Sequence, residues 1–158
     1  MKLARTIRFD ESDENVFSRP AEPGEWAIPG GFEFSNWGEA DLVGKARQAF
    51  ANGWLGLGSF GRSTFVAVAK IEQNELDSLK NKLSEHFVRV YGAPSVEVAR
   101  EVAAGEIAFM TELAEDHAPN TLLTVSRSLT EAGVSEAFRA ISPAEADIDI
   151  VAVHGTLD

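Results

Sequence analysis

The chain has 158 residues, a net charge of −11, 44% hydrophobic and 25% charged residues, and no cysteine. These totals fit a single globular domain over 1–158, and the acidic balance argues against nucleic acid or anionic membranes as partners, because it repels phosphate. Without cysteine there is no disulfide framework, thiolate nucleophile or cysteine-ligated metal, and no apolar run approaches the roughly 20 residues of a membrane span.

Lys2, Arg5 and Arg8 are interspersed with apolar residues over 1–10, which is not the layout of a secretory signal, so the expected compartment is the cytoplasm. Leu3, Arg5, Ile7 and Phe9 alternate with more polar neighbours and predict a strand with one buried face, on which Arg5 is an anomaly. Residues 10–23 are acidic and proline-containing and read as a loop. Trp26 and Ile28, then Phe32 and Phe34, flank Pro29-Gly30-Gly31 and predict a short hairpin. A helix is expected over 39–52, with Leu42, Val43, Ala46, Ala49 and Phe50 on one face and Gly53 as its terminator. Two strands follow over 54–60 and 63–71. The second is too uniformly apolar to be half exposed and is expected inside the sheet.

Residues 72–117 read as two amphipathic helices in series, around which the strands are arranged. Leu76, Leu79, Leu83, Phe87 and Val90 form the stripe of the first, Gly92 and Pro94 stop it, and Ser95 is placed to cap the second. Further strands are expected over 121–129, 134–141 and 147–153. The pattern predicts an α+β fold, a two-layer sandwich with a largely antiparallel sheet and a central helix pair packed on one face.

Gly56-Leu57-Gly58-Ser59-Phe60-Gly61 matches a dinucleotide-binding fingerprint by letter, but it precedes a strand where that motif must open a helix. Followed by Val66-Ala67-Val68-Ala69-Lys70, it resembles the glycine-rich loop of protein kinases, yet no catalytic-loop or DFG motif follows. The expectation is that the glycines shape a hairpin and permit close backbone approach.

In the second helix, Val98, Val102, Phe109 and Leu113 define an apolar face that also contains Glu106. A carboxylate there must be paired or neutral. Arg5 and Glu106 are therefore expected to meet across the strand–helix interface, as a structural ion pair or as the charged groups of a site. Gly105 could instead kink the helix and turn Glu106 outward. Trp26 and Trp54 are candidate pocket walls. Glu112, Glu115, Asp116 and His117 lie on the polar side and read as a solvated helix end, so no metal and no cofactor are implied. His86 and His154 read as packed or surface histidines, and no nucleophile elbow surrounds Ser59, Ser63 or Ser126.

Arg5-Thr6-Ile7-Arg8, Ala21-Glu22-Pro23-Gly24-Glu25-Trp26-Ala27, the run 53–66, Gly105-Glu106-Ile107-Ala108-Phe109 and Glu136-Ala137-Phe138-Arg139 together resemble a family of small proteobacterial proteins with no assigned function. The resemblance spans nearly the whole chain and implies no activity, cofactor or catalytic residue. The leading functional expectation is a noncatalytic interaction or accessory domain, with a protein partner or self-association through a strand edge or an exposed apolar strip. The alternative is a small-ligand-binding protein or small enzyme with a pocket between sheet and helix pair, using Arg5 and Glu106 with Trp26 or Trp54 as walls. An acetyltransferase-like fold suits the length, but the pyrophosphate loop of that fold is missing from the sequence.

Overall fold

The computed structural model describes residues 1–8 and 15–142. In chain order the elements are β1 (Lys2–Ile7), β2 (Trp26–Ile28), 3-10 turns at Gly31–Phe34 and Glu39–Asp41, α1 (Gly44–Asn52), β3 (Trp54–Gly56), β4 (Arg62–Ser63), β5 (Phe65–Lys70), α2 (Gln73–Tyr91), α3 (Val96–Glu115), β6 (Leu122–Thr130) and β7 (Gly133–Ile141). The strands form one curled seven-stranded sheet in the order β4-β3-β2-β1-β5-β6-β7, and each of its pairings is antiparallel. The fold is α+β, with the helix pair packed on the sheet. β5, the apolar run, lies inside the sheet between β1 and β6 as its composition predicts. The strand expected over 147–153 lies outside the described residues.

Three local expectations are corrected. Phe32 and Phe34 do not form a return strand, because the chain enters a 3-10 turn after Gly30. Gly30 has φ 68°, and a Cβ there would lie 2.5 Å from the Leu55 Cβ, so both conformation and space require glycine. The helix expected over 39–52 is split: Val43 is extended and Gly44 has φ 55°, which leaves Glu39–Asp41 as a separate turn and Val43 65% exposed. The strand expected over 54–60 stops at Gly56, where the chain turns back to pair β3 with β4.

The helix hairpin follows the predicted punctuation. Gly92 ends α2 in the left-handed region, and the Ser95 hydroxyl accepts a hydrogen bond from the Val98 amide at 3.2 Å to cap α3. α2 buries Leu76, Leu83 and Phe87 as its spacing predicts, with Leu79 partly buried beside them, but Val90, expected on the same stripe, is 59% exposed in the last turn. α3 does not follow its predicted face. Ala99, Ala103, Ile107, Met110 and Ala114 point inward, while Val98, Val102 and Phe109 are 44%, 46% and 46% exposed. The helix is apolar on two sides, and periodicity reveals a stripe without saying which one meets the core. The inward alanines suit a helix laid close over β1 and β2, where Ala4 and Ala27 are register partners.

Candidate functional site

The expected pairing of Arg5 with Glu106 does not form. On β1 the residues either side of Arg5, Ala4 and Thr6, are buried, so alternation turns Arg5 to the opposite face, where it is exposed. Its guanidinium lies 3.9 Å from the ring centroid of its register partner Trp26 and donates to the Gly24 carbonyl at 3.0 Å. The Trp26 indole N–H in turn donates to Glu75 of α2 at 3.2 Å. Glu106 is half-buried on α3, where burial first and the Glu136 carboxylate second push its pKa up. Trp54 is fully buried against Phe138, and its indole N–H has no hydrogen-bond partner among the described residues. The structure thus brings Arg5 and Trp26 together and places Glu106 and Trp54 in other surroundings.

The glycine-rich turn between β3 and β4 holds an anion, and that anion is the protein's own Glu25. Its carboxylate accepts from the amides of Gly58 and Ser59 at 2.7 and 2.5 Å, from the Ser59 hydroxyl at 2.7 Å and from the Glu22 amide at 2.5 Å. A Cβ on Gly56 or Gly58 would come within 2.8 or 2.7 Å of the same carboxylate. The glycines therefore permit close approach, as the sequence suggests, and they serve an internal clasp.

Two buried arginines, which the sequence reading did not single out, organise the other end of the sheet. Arg62 donates to the carbonyls of Pro29 and Gly53 at 3.2 Å each and of Gly30 at 3.1 Å, and it pairs with Glu33. Arg127 donates to Phe50 and Gly53 carbonyls at 3.0 and 2.8 Å, to Pro29, and through Nε to its register partner Glu136 at 2.7 Å. The Phe50 carbonyl belongs to the last turn of α1, where the helix dipole favours a cation. Both guanidinium groups lie over the Phe34 ring, at 4.6 and 5.1 Å. Burial lowers both pKa values, that of Arg127 to about 10, which leaves Arg127 charged at neutral pH. A signal for Arg127 existed: Leu123, Val125 and Arg127 alternate on one buried face of β6.

Beside Arg62 opens a cleft of about 230 Å³ between α1, the turn at Gly31–Phe34 and residues 17–19. Phe17, Phe34, Trp37 and Phe60 line it, together with Arg19 and Lys45. Trp37 packs edge-on to Phe34 at 4.8 Å, and His86 stacks on Phe60 at 3.8 Å between ring centres. Burial lowers the His86 pKa, so the imidazole is neutral at pH 7. Desolvation, with Glu33 adding to it, pushes the nearby Tyr91 hydroxyl up to about 12.

A third feature lies on the outside of the helix pair. Seven exposed large hydrophobic residues belong to α2 and α3, and three of them fall in one row on α3. That row reads Ser95, Val98, Val102, Gly105, Phe109 and Glu112, with alternating spacings of three and four. Val98 and Gly105 project about 180° and about 160° from the core residue Ile107, so this part of the row faces away from the core, while Phe109 packs on Phe138 of β7 with 5.8 Å between ring centres.

Among the described residues no group of three carboxylate or histidine side chains is gathered as for a metal ion, and no helix is long and apolar enough to cross a membrane. Sheet, helix hairpin and internal clasps define an α+β protein of the antiparallel-sheet type. The chain belongs to a family of unknown function, DUF6505, whose model matches residues 1–158. No curated protein and no solved structure matches it.

Proposed function

We propose that the protein is a noncatalytic interaction domain that associates with a second copy of itself through the outward row of α3. The observation that carries this reading is the row itself. Its spacing is that of a helix–helix seam, and its order is self-complementary. An antiparallel two-fold centred between Ala103 and Ala104 sets Val98 opposite Phe109 and Val102 opposite Gly105, a large residue meeting a smaller one at each step. A Cβ on Gly105 meets nothing within 4 Å among the described residues, which leaves space above it for the partner's Val102. The same two-fold brings Glu112 of one copy to the Ser95 cap of the other, where a helix N-terminus favours negative charge. Apolar residues repeated along an exposed helix are otherwise a solubility liability.

One seam of this length is smaller than the roughly 800 Å² per partner of a standard interface, so the dimer is a concentration-dependent one. Sedimentation velocity over a concentration series tests it. The mass is expected to double with concentration, and Val102→Asp is expected to hold the chain monomeric while leaving its circular dichroism unchanged. A wild-type chain that stays monomeric at the highest concentration, or a Val102→Asp variant that still dimerises, overturns the reading.

A further inference from the structure

We propose that the cleft beside Arg62 is a binding site for a small planar anion, of the chemical class of an aromatic carboxylate. The proposal is independent of the helix-pair seam, since the cleft is built from α1 and the segments around it.

Charge selects the sign of the ligand. In a chain of net charge −11, the cleft brings Arg19, Lys45 and Arg62 to one place with Glu33 as its acidic wall. Arg62 and Glu33 neutralise each other, and the Arg62 guanidinium is further occupied by three backbone carbonyls. It shapes the floor and holds Glu33, and it is not the ligand's partner. Arg19 and Lys45 are exposed and make no ion pair among the described residues. Two cations without an ion-pair partner among the described residues, on the rim of a partly desolvated cleft, favour an anion over a neutral or cationic guest.

Shape selects its body. Phe17, Phe34, Trp37 and Phe60 give aromatic walls on several sides, and Phe17 and Phe34 are nearly fully buried, so these walls are fixed by packing. A flat ring gains most from such walls, through offset or edge-on stacking. The volume of about 230 Å³ lies below the 300–1,000 Å³ usual for drug-sized ligands, which limits the guest to one or two fused rings and a charged group. A nucleotide exceeds that space. Lys45 stands in the first turn of α1, so a carboxylate held by it also lies near that helix's amino-terminal amides.

The experiment is a ¹H–¹⁵N correlation titration of the full chain with benzoate and indole-3-acetate, with benzamidine as the cationic counterpart of matching shape. Both acids are expected to shift the Trp37 indole N–H together with amides of residues 17–19 and 45–49, and benzamidine is expected to leave them in place. Arg19→Glu with Lys45→Glu alters two exposed side chains, and is expected to weaken binding of the acids by about tenfold or more with the remaining spectrum unchanged. Equal binding of benzamidine, unchanged affinity in the double variant, shifts confined to other parts of the molecule, or no shift at millimolar acid would each overturn the proposal.

Discussion

The two helices of the hairpin have similar lengths and opposite relations to their own apolar residues. α2 turns Leu76, Leu83 and Phe87 into the core and shows solvent a largely charged back, with Val88, Val90 and Tyr91 exposed only in its last turn. α3 puts alanines, Ile107 and Met110 inward and keeps Val98, Val102 and Phe109 outside. Folding accounts for every apolar position of the first kind, because burying a leucine or phenylalanine side chain contributes about 1.5–3 kcal/mol. It does not account for the second. Among the described residues Phe109 packs on Phe138 of β7, whereas Val98 and Val102 stay exposed, and this is why the functional reading rests on α3.

The sharpest break of that comparison would come from truncating one residue on each helix. Leu83→Ala, at a fully buried position of α2, is expected to cost about 2–5 kcal/mol in urea denaturation. Val102→Ala on α3 is expected to stay within about 0.5 kcal/mol in the monomer. Equal losses would mean that the α3 row supports the fold after all.

Gly105→Ala separates folding from association. At an exposed helical position with open space above it, alanine is expected to stabilise the monomer by about 1 kcal/mol. The same methyl group fills the space assigned to the partner's Val102, so dimerisation is expected to weaken. Sedimentation and denaturation on one sample would show the two effects with opposite signs; a tighter dimer would remove the antiparallel register.

The smallest effect is expected at Glu106, which lies between the outward row and the sheet. Its raised pKa means that the folded state holds this proton more firmly than the unfolded chain does. Stability therefore falls as pH rises from the ordinary glutamate range to the raised value and is level above it. Glu106→Gln should remove that fall, raising the melting temperature at neutral pH and leaving it unchanged below the ordinary glutamate pKa. A lower melting temperature at neutral pH would reveal a cationic partner for Glu106.

Much of the architecture was legible from periodicity and punctuation. The hairpin of β6 and β7, the two long helices and the Ser95 cap follow from local sequence. The choice of face on α3 did not, since two apolar stripes on one helix satisfy the same rule and only the alanines matching Ala4 and Ala27 decide between them. Arg5 is legible as an anomaly but its partner is not, because Leu3 and Ala4 are both buried and the strand has no single apolar face. Arg127 stood in a visible alternation. Arg62, in a two-residue strand after a turn, had no periodicity to mark it. Glu25 in the glycine turn joins residues 33 and 34 positions apart, and no local pattern encodes such a meeting.

Arg127 also bears on the order in which the protein can be made. The carbonyls of Pro29, Phe50 and Gly53 that it satisfies are translated long before it, and its bond to Pro29 spans 98 positions. Arg62 gives Pro29 and Gly53 a first donor early, but buried carbonyls short of donors are costly, and the second donor to these two and the side-chain donor to Phe50 come only after a ribosome has extended the chain through both long helices. Emergence of β6 closes them together, which makes the amino-terminal half a late-maturing part of the molecule although it is the first to be synthesised.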